Sequence, residues 1–184
     1  MLLFWDRGYE GTSFDDLTAA MGISPSSFYN SFGSKEQLYQ EATEAFMAVA
    51  GEWFAGELAA GPDTRTAFTR LLDHAAREFT AEGHPPGCMI SLSGTHVPPA
   101  LCGLHDKMAG YRQAAQTAMA DRIRQGIAQG DVPGDVDAEA LAAFYNAVAR
   151  GMAVAARDGA TRDRLLAIAA TAMRSFPRPR RARK

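Results

Sequence analysis

Three observations predict an all-α fold for this chain of 184 residues. Apolar residues recur at spacings of three and four along most of its length, the period of a helix with one buried face. Serine, threonine or aspartate stands just ahead of these stretches and glycine just behind them, as helix starts and stops. No stretch shows the strict apolar–polar alternation of a half-buried strand, and no internal repeat is visible.

The densest helix signals lie between Thr12 and Gln40. Met1 to Arg7 reads as the end of a first helix stopped by Gly8, with Leu3, Phe4 and Tyr9 on its apolar side. Ser13 and Asp16 have the spacing of a capping box and open a second helix over Phe14–Met21. Gly22 suits the left-handed position that ends it. Ser24 followed by Pro25 starts a third helix, a capping hydroxyl with proline at the first helical position, which Phe32-Gly33 closes. Ser34 and Gln37 repeat the capping-box spacing at a fourth start. Phe14, Leu17, Met21, Ile23, Phe28 and Phe32 form the core of this unit. The second and third helices, joined by a tight turn containing glycine, make a helix-turn-helix.

Ser26, Ser27, Tyr29, Asn30 and Ser31 remain on the outer face of the third helix. Hydroxyls and amides of this kind donate to phosphate oxygens, and asparagine pairs bidentately with adenine. Ser34-Lys35, at a helix N-terminus, suits a phosphate as well.

The residues Arg7-Gly8-Tyr9 with Thr12-Ser13, the run Ala19 to Pro25, and Phe28-Tyr29-x-x-Phe32-Gly33-Ser34-Lys35-Glu36-x-Leu38 carry a family likeness. From about Phe4 to Tyr39 the chain resembles the DNA-binding domain of the TetR-type bacterial transcriptional repressors. The resemblance implies that Ser24, Ser26, Ser27, Tyr29, Asn30, Ser34 and Lys35 form the DNA-binding face, with Tyr29 on the backbone and Lys35 at a phosphate. It implies a homodimer bound to a palindromic operator in double-stranded DNA and released by a small-molecule effector. Two recognition helices must then reach successive major grooves, roughly 34–36 Å apart or a multiple of that.

The organisation expected is a helix-turn-helix domain over 1–40, a helical effector-binding and dimerisation domain over 41–176 and a disordered basic tail over 177–184. The fourth helix runs from Lys35 to Ala59 or Ala60, with an apolar stripe of Leu38, Ala42, Ala45/Phe46, Val49, Trp53 and Leu58. Helices follow over Thr64–Glu82, Cys88–Leu92, Pro99–Gln129, Ala138–Arg157 and Arg162–Phe176. Loops are expected at Gly61-Pro62-Asp63, Gly83 to Gly87, Thr95 to Pro99 and Gly130 to Gly134.

The last two helices are rich in small and apolar residues on more than one side, which suits close packing against a second copy. The family implies a four-helix bundle between monomers, and Phe144, Val148, Met152, Leu165, Ala169, Ala172, Met173 and Phe176 are its candidates. For an effector pocket among helices four to eight, the candidates are Phe46, Trp53, Phe68, Met89, Met108, Tyr111, Phe144 and Tyr145. Pockets are generally apolar, and these side chains suggest a hydrophobic or aromatic ligand.

Charge excludes little but poses a question. The formal net charge is −2, and Arg178, Arg180, Arg181, Arg183 and Lys184 leave the rest of the chain at −7. Residues 1–40 set Asp6, Glu10, Asp15, Asp16 and Glu36 against Arg7 and Lys35, a net −3. Phosphate binding usually draws on lysine and arginine. A basic extension ahead of Met1 is one expectation. The alternative is a dimeric small-molecule-binding or scaffold protein whose shortened DNA-binding domain no longer works.

Both cysteines and three of the four histidines fall between His84 and His105: His84, Cys88, His96, Cys102 and His105. A thiol- or metal-responsive repressor is therefore a further alternative, with His84, Cys88, Cys102 and His105 as candidate ligands, although their spacing matches no standard site. No cofactor is implied. No phosphate loop, GxSxG or HExxH motif supports catalysis. No apolar run approaches the 18 or more residues of a membrane span, no signal-peptide pattern opens the chain, and two cysteines make no disulfide framework, so a cytoplasmic location is expected.

Overall fold

The computed structural model describes residues 1–94 and 102–179. Their regular elements are all helical: α1 (Leu2–Arg7), α2 (Phe14–Met21), α3 (Pro25–Phe32), α4 (Lys35–Ala59), α5 (Thr64–Glu78), α6 (Met89–Leu92), α7 (Cys102–Gln129), α8 (Ala138–Arg157) and α9 (Arg162–Arg174). Residues 99–101, where the seventh helix was expected to begin, and 180–184 of the expected basic tail lie outside the described residues.

Local chemistry explains the first four elements. Ser13 and Asp16 close a reciprocal capping box on α2, and Gly22 ends that helix at φ 64°, ψ 32°. Ser24 Oγ accepts the Ser27 amide, with Pro25 in the first turn of α3. On α4 only one arm of the anticipated capping box forms. Ser34 Oγ accepts the Gln37 amide at 3.1 Å, while the Gln37 side chain lies over Gly33, where a β-carbon would stand 2.0 Å from its Oε1.

Two expected helix ends are corrected. Helix α5 stops at Glu78 rather than Glu82, because Thr80 Oγ1 donates back to the Ala76 carbonyl at 2.8 Å and the chain then turns so that the Gly87 amide meets Phe79 O at 2.9 Å. Helix α9 stops at Arg174 rather than Phe176. Ser175 Oγ takes the Ala172 carbonyl, and Phe176 leaves the helix to pack 5.5 Å from Phe68 and 5.6 Å from Tyr145.

Two apolar cores result. One joins Phe4, Trp5, Leu17, Phe28 and Tyr39 of the N-terminal helices to Met89, Ile90, Leu104 and Met108 of α6 and α7. The other is built from Leu58, α5, the second half of α7, α8 and α9. Helix α4, 25 residues long and thus roughly 37 Å at 1.5 Å per residue, contributes to both.

The turn between α4 and α5 is tied to the turn between α7 and α8. The Thr64 amide and hydroxyl donate to the two carboxylate oxygens of Asp131 at 2.8 and 2.9 Å. Arg122 donates to Thr64 Oγ1 at 2.6 Å and to the Leu58 carbonyl at 3.0 Å. This network closes over Gly126, where a β-carbon would lie 2.1 Å from Thr64 Oγ1 and 2.4 Å from Asp131 Oδ1. Gly126→Ala is expected to destabilise the protein by about 1–3 kcal/mol, the usual range for overpacking. Gly56→Ala, on open helix surface in α4, is expected to stabilise it by about 0.5–1 kcal/mol. Urea unfolding of the pair checks both signs; a stabilised Gly126→Ala refutes the close approach.

Candidate nucleic-acid interface and cavity

Phe28 is the pivot of the helix-turn-helix. It is fully buried, edge-on to Phe14 at 4.7 Å and 5.4 Å from Phe32. With Phe28 inward, α3 must turn Ser26, Ser27, Tyr29, Asn30 and Ser31 outward, and all five are exposed. Tyr29 is 56% exposed. Its ring stacks on Phe14 at 5.1 Å, which holds the phenol in one direction at little entropic cost.

The hydrogen-bonding capacity of this face is largely unspent. Ser24 and Ser27 engage each other, Oγ to Oγ at 3.0 Å. Among the described residues, the side chains of Ser26, Tyr29, Asn30 and Ser31 have no intramolecular hydrogen bond. Lys35 stands beside this face at the N-terminus of α4, its ammonium 4.3 Å from the centre of the Tyr9 ring. It pairs with no carboxylate among the described residues. A cation–π contact orients the side chain and leaves its charge uncompensated.

The acidic residues of the N-terminal segment are partly neutralised in place. Arg7 reaches Asp16 at 3.1 Å, and Arg157 of α8 reaches the Asp6 carboxylate at 3.2 Å while also donating to the Asp6 carbonyl. Asp16 is held below its ordinary carboxyl pKa, first by the hydrogen bonds from Ser13 and then by Arg7.

Deeper in the molecule, a cavity of about 310 Å³ opens among α4, α5, α6, α7 and α8. Of the eight residues expected at a pocket, Phe46, Trp53 and Tyr111 line it. The other five do not. Phe68 and Tyr145 are fully buried in the α5–α8–α9 core, and Met89 and Met108 in the core shared with the N-terminal helices. Phe144 points away and is 44% exposed. Helical spacing identifies an inward face without separating core from cavity wall. The sequence reading also missed Arg112, Asn146 and Arg150, which line the cavity with Cys88. Candidates chosen by apolar or aromatic character pass over arginine and asparagine.

The expected dimer-forming set divides as well. Met152, Leu165, Ala169, Met173 and Phe176 are buried within their own chain, because α8 and α9 pack on α5 rather than leaving those side chains free for a partner. Phe144 borders an open groove with Arg164, Ala167, Ile168 and Thr171, Ala172 lies at its base and is itself buried, and Val148 is half-buried.

The described ligand-type residues between 84 and 105 do not converge, and His96 lies outside the described residues. His84 stacks on Trp5 at 4.3 Å and contacts the Pro85 carbonyl through Nδ1. His105 is spent on the Gly94 carbonyl at 2.7 Å. Both cysteines are free thiols, Cys102 exposed and Cys88 half-buried. No group of three histidine, cysteine or acidic residues able to hold a metal exists among the described residues. No helix among them is long and apolar enough to cross a membrane.

The comparisons with known proteins agree with this arrangement. A profile described as "Bacterial regulatory proteins, tetR family" matches residues 1–42. One described as "Tetracyclin repressor-like, C-terminal domain" matches residues 67–173. The chain is 28% identical over 178 residues to the HTH-type transcriptional repressor ComR of Escherichia coli (strain K12), covering 96% of this chain and 85% of that protein. It is 29% identical over 173 residues to BdcR, a repressor of the same organism, covering 93% and 82%. A solved structure of the TetR family regulator CifR, a cysteine mutant complexed with 26-bp double-strand operator DNA, superposes with a TM-score of 0.92 at 38% identity, covering 96% of this chain and 92% of that one.

The capping box offers a test. A depressed folded pKa contributes stability that is complete above the ordinary aspartate value of about 3.9 and lost as pH falls through the lower folded value. Ser13→Ala is therefore expected to raise the Asp16 midpoint toward that ordinary value, read by NMR titration of the side-chain carboxyl. An unmoved midpoint assigns the shift to the Ser13 backbone amide and Arg7 instead.

Proposed function

The chain belongs to the TetR family of bacterial transcriptional regulators, and from that premise we propose that it is a homodimeric repressor whose hold on its operator is set by a small molecule in the α4–α8 cavity. The observation that carries the reading is the outward face of α3: a fixed tyrosine, free amide and hydroxyl groups, and an uncompensated lysine beside it, on a rigid helix-turn-helix. Ser26, Tyr29 and Asn30 are the proposed base and backbone contacts. Ser24 and Ser27 frame the helix start, and Ser34 and Lys35 receive a phosphate at the α4 N-terminus. The operator complex of the related CifR supports double-stranded DNA as the partner.

Coupling follows from α4. Phe46, Trp53 and Phe54 of α4 border the cavity, and Phe46 also meets Trp5 of α1 edge-on at 4.9 Å. A ligand that displaces this stretch of α4 moves α1, and with it the helix-turn-helix of each monomer. Two recognition helices that fit successive major grooves in one arrangement no longer do so in the other. The ligand need only bind the second arrangement more tightly to favour release. The groove bordered by Phe144, Ile168 and Ala172 is the proposed centre of the dimer contact.

Gel shifts on the DNA just upstream of the chain's own gene test this directly. Tyr29→Ala is expected to weaken operator binding about tenfold or more with unfolding unchanged. Lys35→Ala is expected to weaken binding across sequences and reduce the salt slope by about one. Absence of specific, salt-sensitive binding by the wild-type dimer would sink the repressor reading. Phe144→Arg is expected to give monomers in sedimentation while helix content is retained; an intact dimer removes Phe144 from the interface.

A further inference from the structure

Two arginines at one end of the cavity have no acidic partner. Arg112 and Arg150 both line it. Arg112 donates from Nη1 to the Ile90 and Ser93 carbonyls at 3.0 and 2.9 Å, neutral acceptors that fix the guanidinium without balancing its charge. Burial first, and repulsion from Arg150 second, push the Arg112 pKa down. The Arg150 Nε is buried with no hydrogen-bond partner. Neither guanidinium lies within ion-pairing distance of a carboxylate among the described residues, and the other titratable groups acting on Arg112 are the Tyr39 phenol and the Cys88 thiol. Arg7, Arg70, Arg124 and Arg157 each pair with at least one acid. The part-buried Arg65 and Arg122 are spent on the Phe176 carbonyl and on the Leu58 carbonyl and Thr64 hydroxyl, whereas Arg150 Nε has no acceptor at all among the described residues. Two neighbouring, partly desolvated cations with no counter-charge are costly unless an anion completes them. Apart from Ser91 and Asn146, the remainder of the wall, including Phe46, Trp53 and Tyr111, is predominantly apolar.

We infer that Arg112 and Arg150 form an anion subsite, and that the cavity takes an apolar organic acid: a hydrophobic body of a size to fill about 310 Å³, carrying one carboxylate or equivalent oxyanion. This rests on the proposed role of the cavity as the effector site and names the ligand class. The guanidinium fork suits such a group because two parallel N–H donors meet its two oxygens. Arg112 is anchored, so it sets the position of the anion. Arg150, with an unspent donor at Nε, supplies the hydrogen bond that binding adds. The apolar wall gives affinity without orientation, and the two arginines give the ligand a fixed end.

The test uses two dyes of nearly the same body, anilinonaphthalenesulfonate and the neutral N-phenylnaphthylamine, titrated by fluorescence into the full-length dimer. The wild type is expected to bind the sulfonate at least about tenfold more tightly than the neutral dye. Arg150→Met is expected to abolish that preference while leaving the neutral dye's affinity unchanged, and Arg150→Lys to retain part of it. Ala115→Phe, which fills the cavity, is expected to remove binding of both. Equal wild-type affinities, a preference that persists in Arg150→Met, or sulfonate binding that survives Ala115→Phe would each overturn the subsite. The wild-type comparison needs no variant to fold. Operator binding is read on the same preparation: a dimer that binds no operator fails the regulatory reading, while the dye affinities alone decide the subsite.

Discussion

Everything at the DNA-facing end depends on how α1 is held. A helix of six residues is far too short to persist in water by itself. It is fixed from three directions: Phe4 edge-on to Tyr39 at 4.9 Å, Trp5 between Phe46 and the His84 ring, and Asp6 against Arg157. Tyr39 and Phe46 belong to α4, His84 to the loop after α5, and Arg157 to the end of α8. The first helix is therefore positioned by α4, by the loop after α5 and by the end of α8. Its own core continues into Met89 and Met108. The orientation of the recognition helix is a property of the whole chain.

The same packing reconciles an acidic N-terminal segment with an anionic partner. Asp6 and Asp16 contribute to the formal charge of residues 1–40 but face Arg157 and Arg7. The outward face of α3 carries no acidic residue at all. That face presents a set of neutral donors with one lysine beside it. Net charge summed along a sequence weights every residue equally; a docking partner responds to charges on the approached face, and screening attenuates the rest.

Legibility from sequence followed how local the determining interaction is. The bounds of α2, α3 and α4 were readable because Ser13, Gly22, Ser24, Pro25 and Ser34 act within a turn of where they stand. The ends of α5 and α9 were not, because Thr80 and Ser175 bond back to preceding carbonyls and Phe79 and Phe176 are drawn off by tertiary contacts. Met152 and Leu165 read as a face for a partner because apolar periodicity records burial without recording what does the burying. The cavity was harder still. Its location among helices four to eight was readable, yet its wall is defined by missing atoms. Its polar end depends on Arg112 and Arg150, 38 positions apart, meeting across α7 and α8.

The cavity also bears on how long the protein lasts. An unfilled apolar space forfeits dispersion contacts that a close-packed interior would have, so the native state is less stable empty than occupied. A ligand present at a hundred times its dissociation constant adds about 2.7 kcal/mol, enough to lower severalfold the unfolded fraction exposed to cellular proteases. On the proposed reading, an effector that releases the chain from DNA would also protect it from turnover. The copy number of the chain would then rise with the concentration of its own ligand.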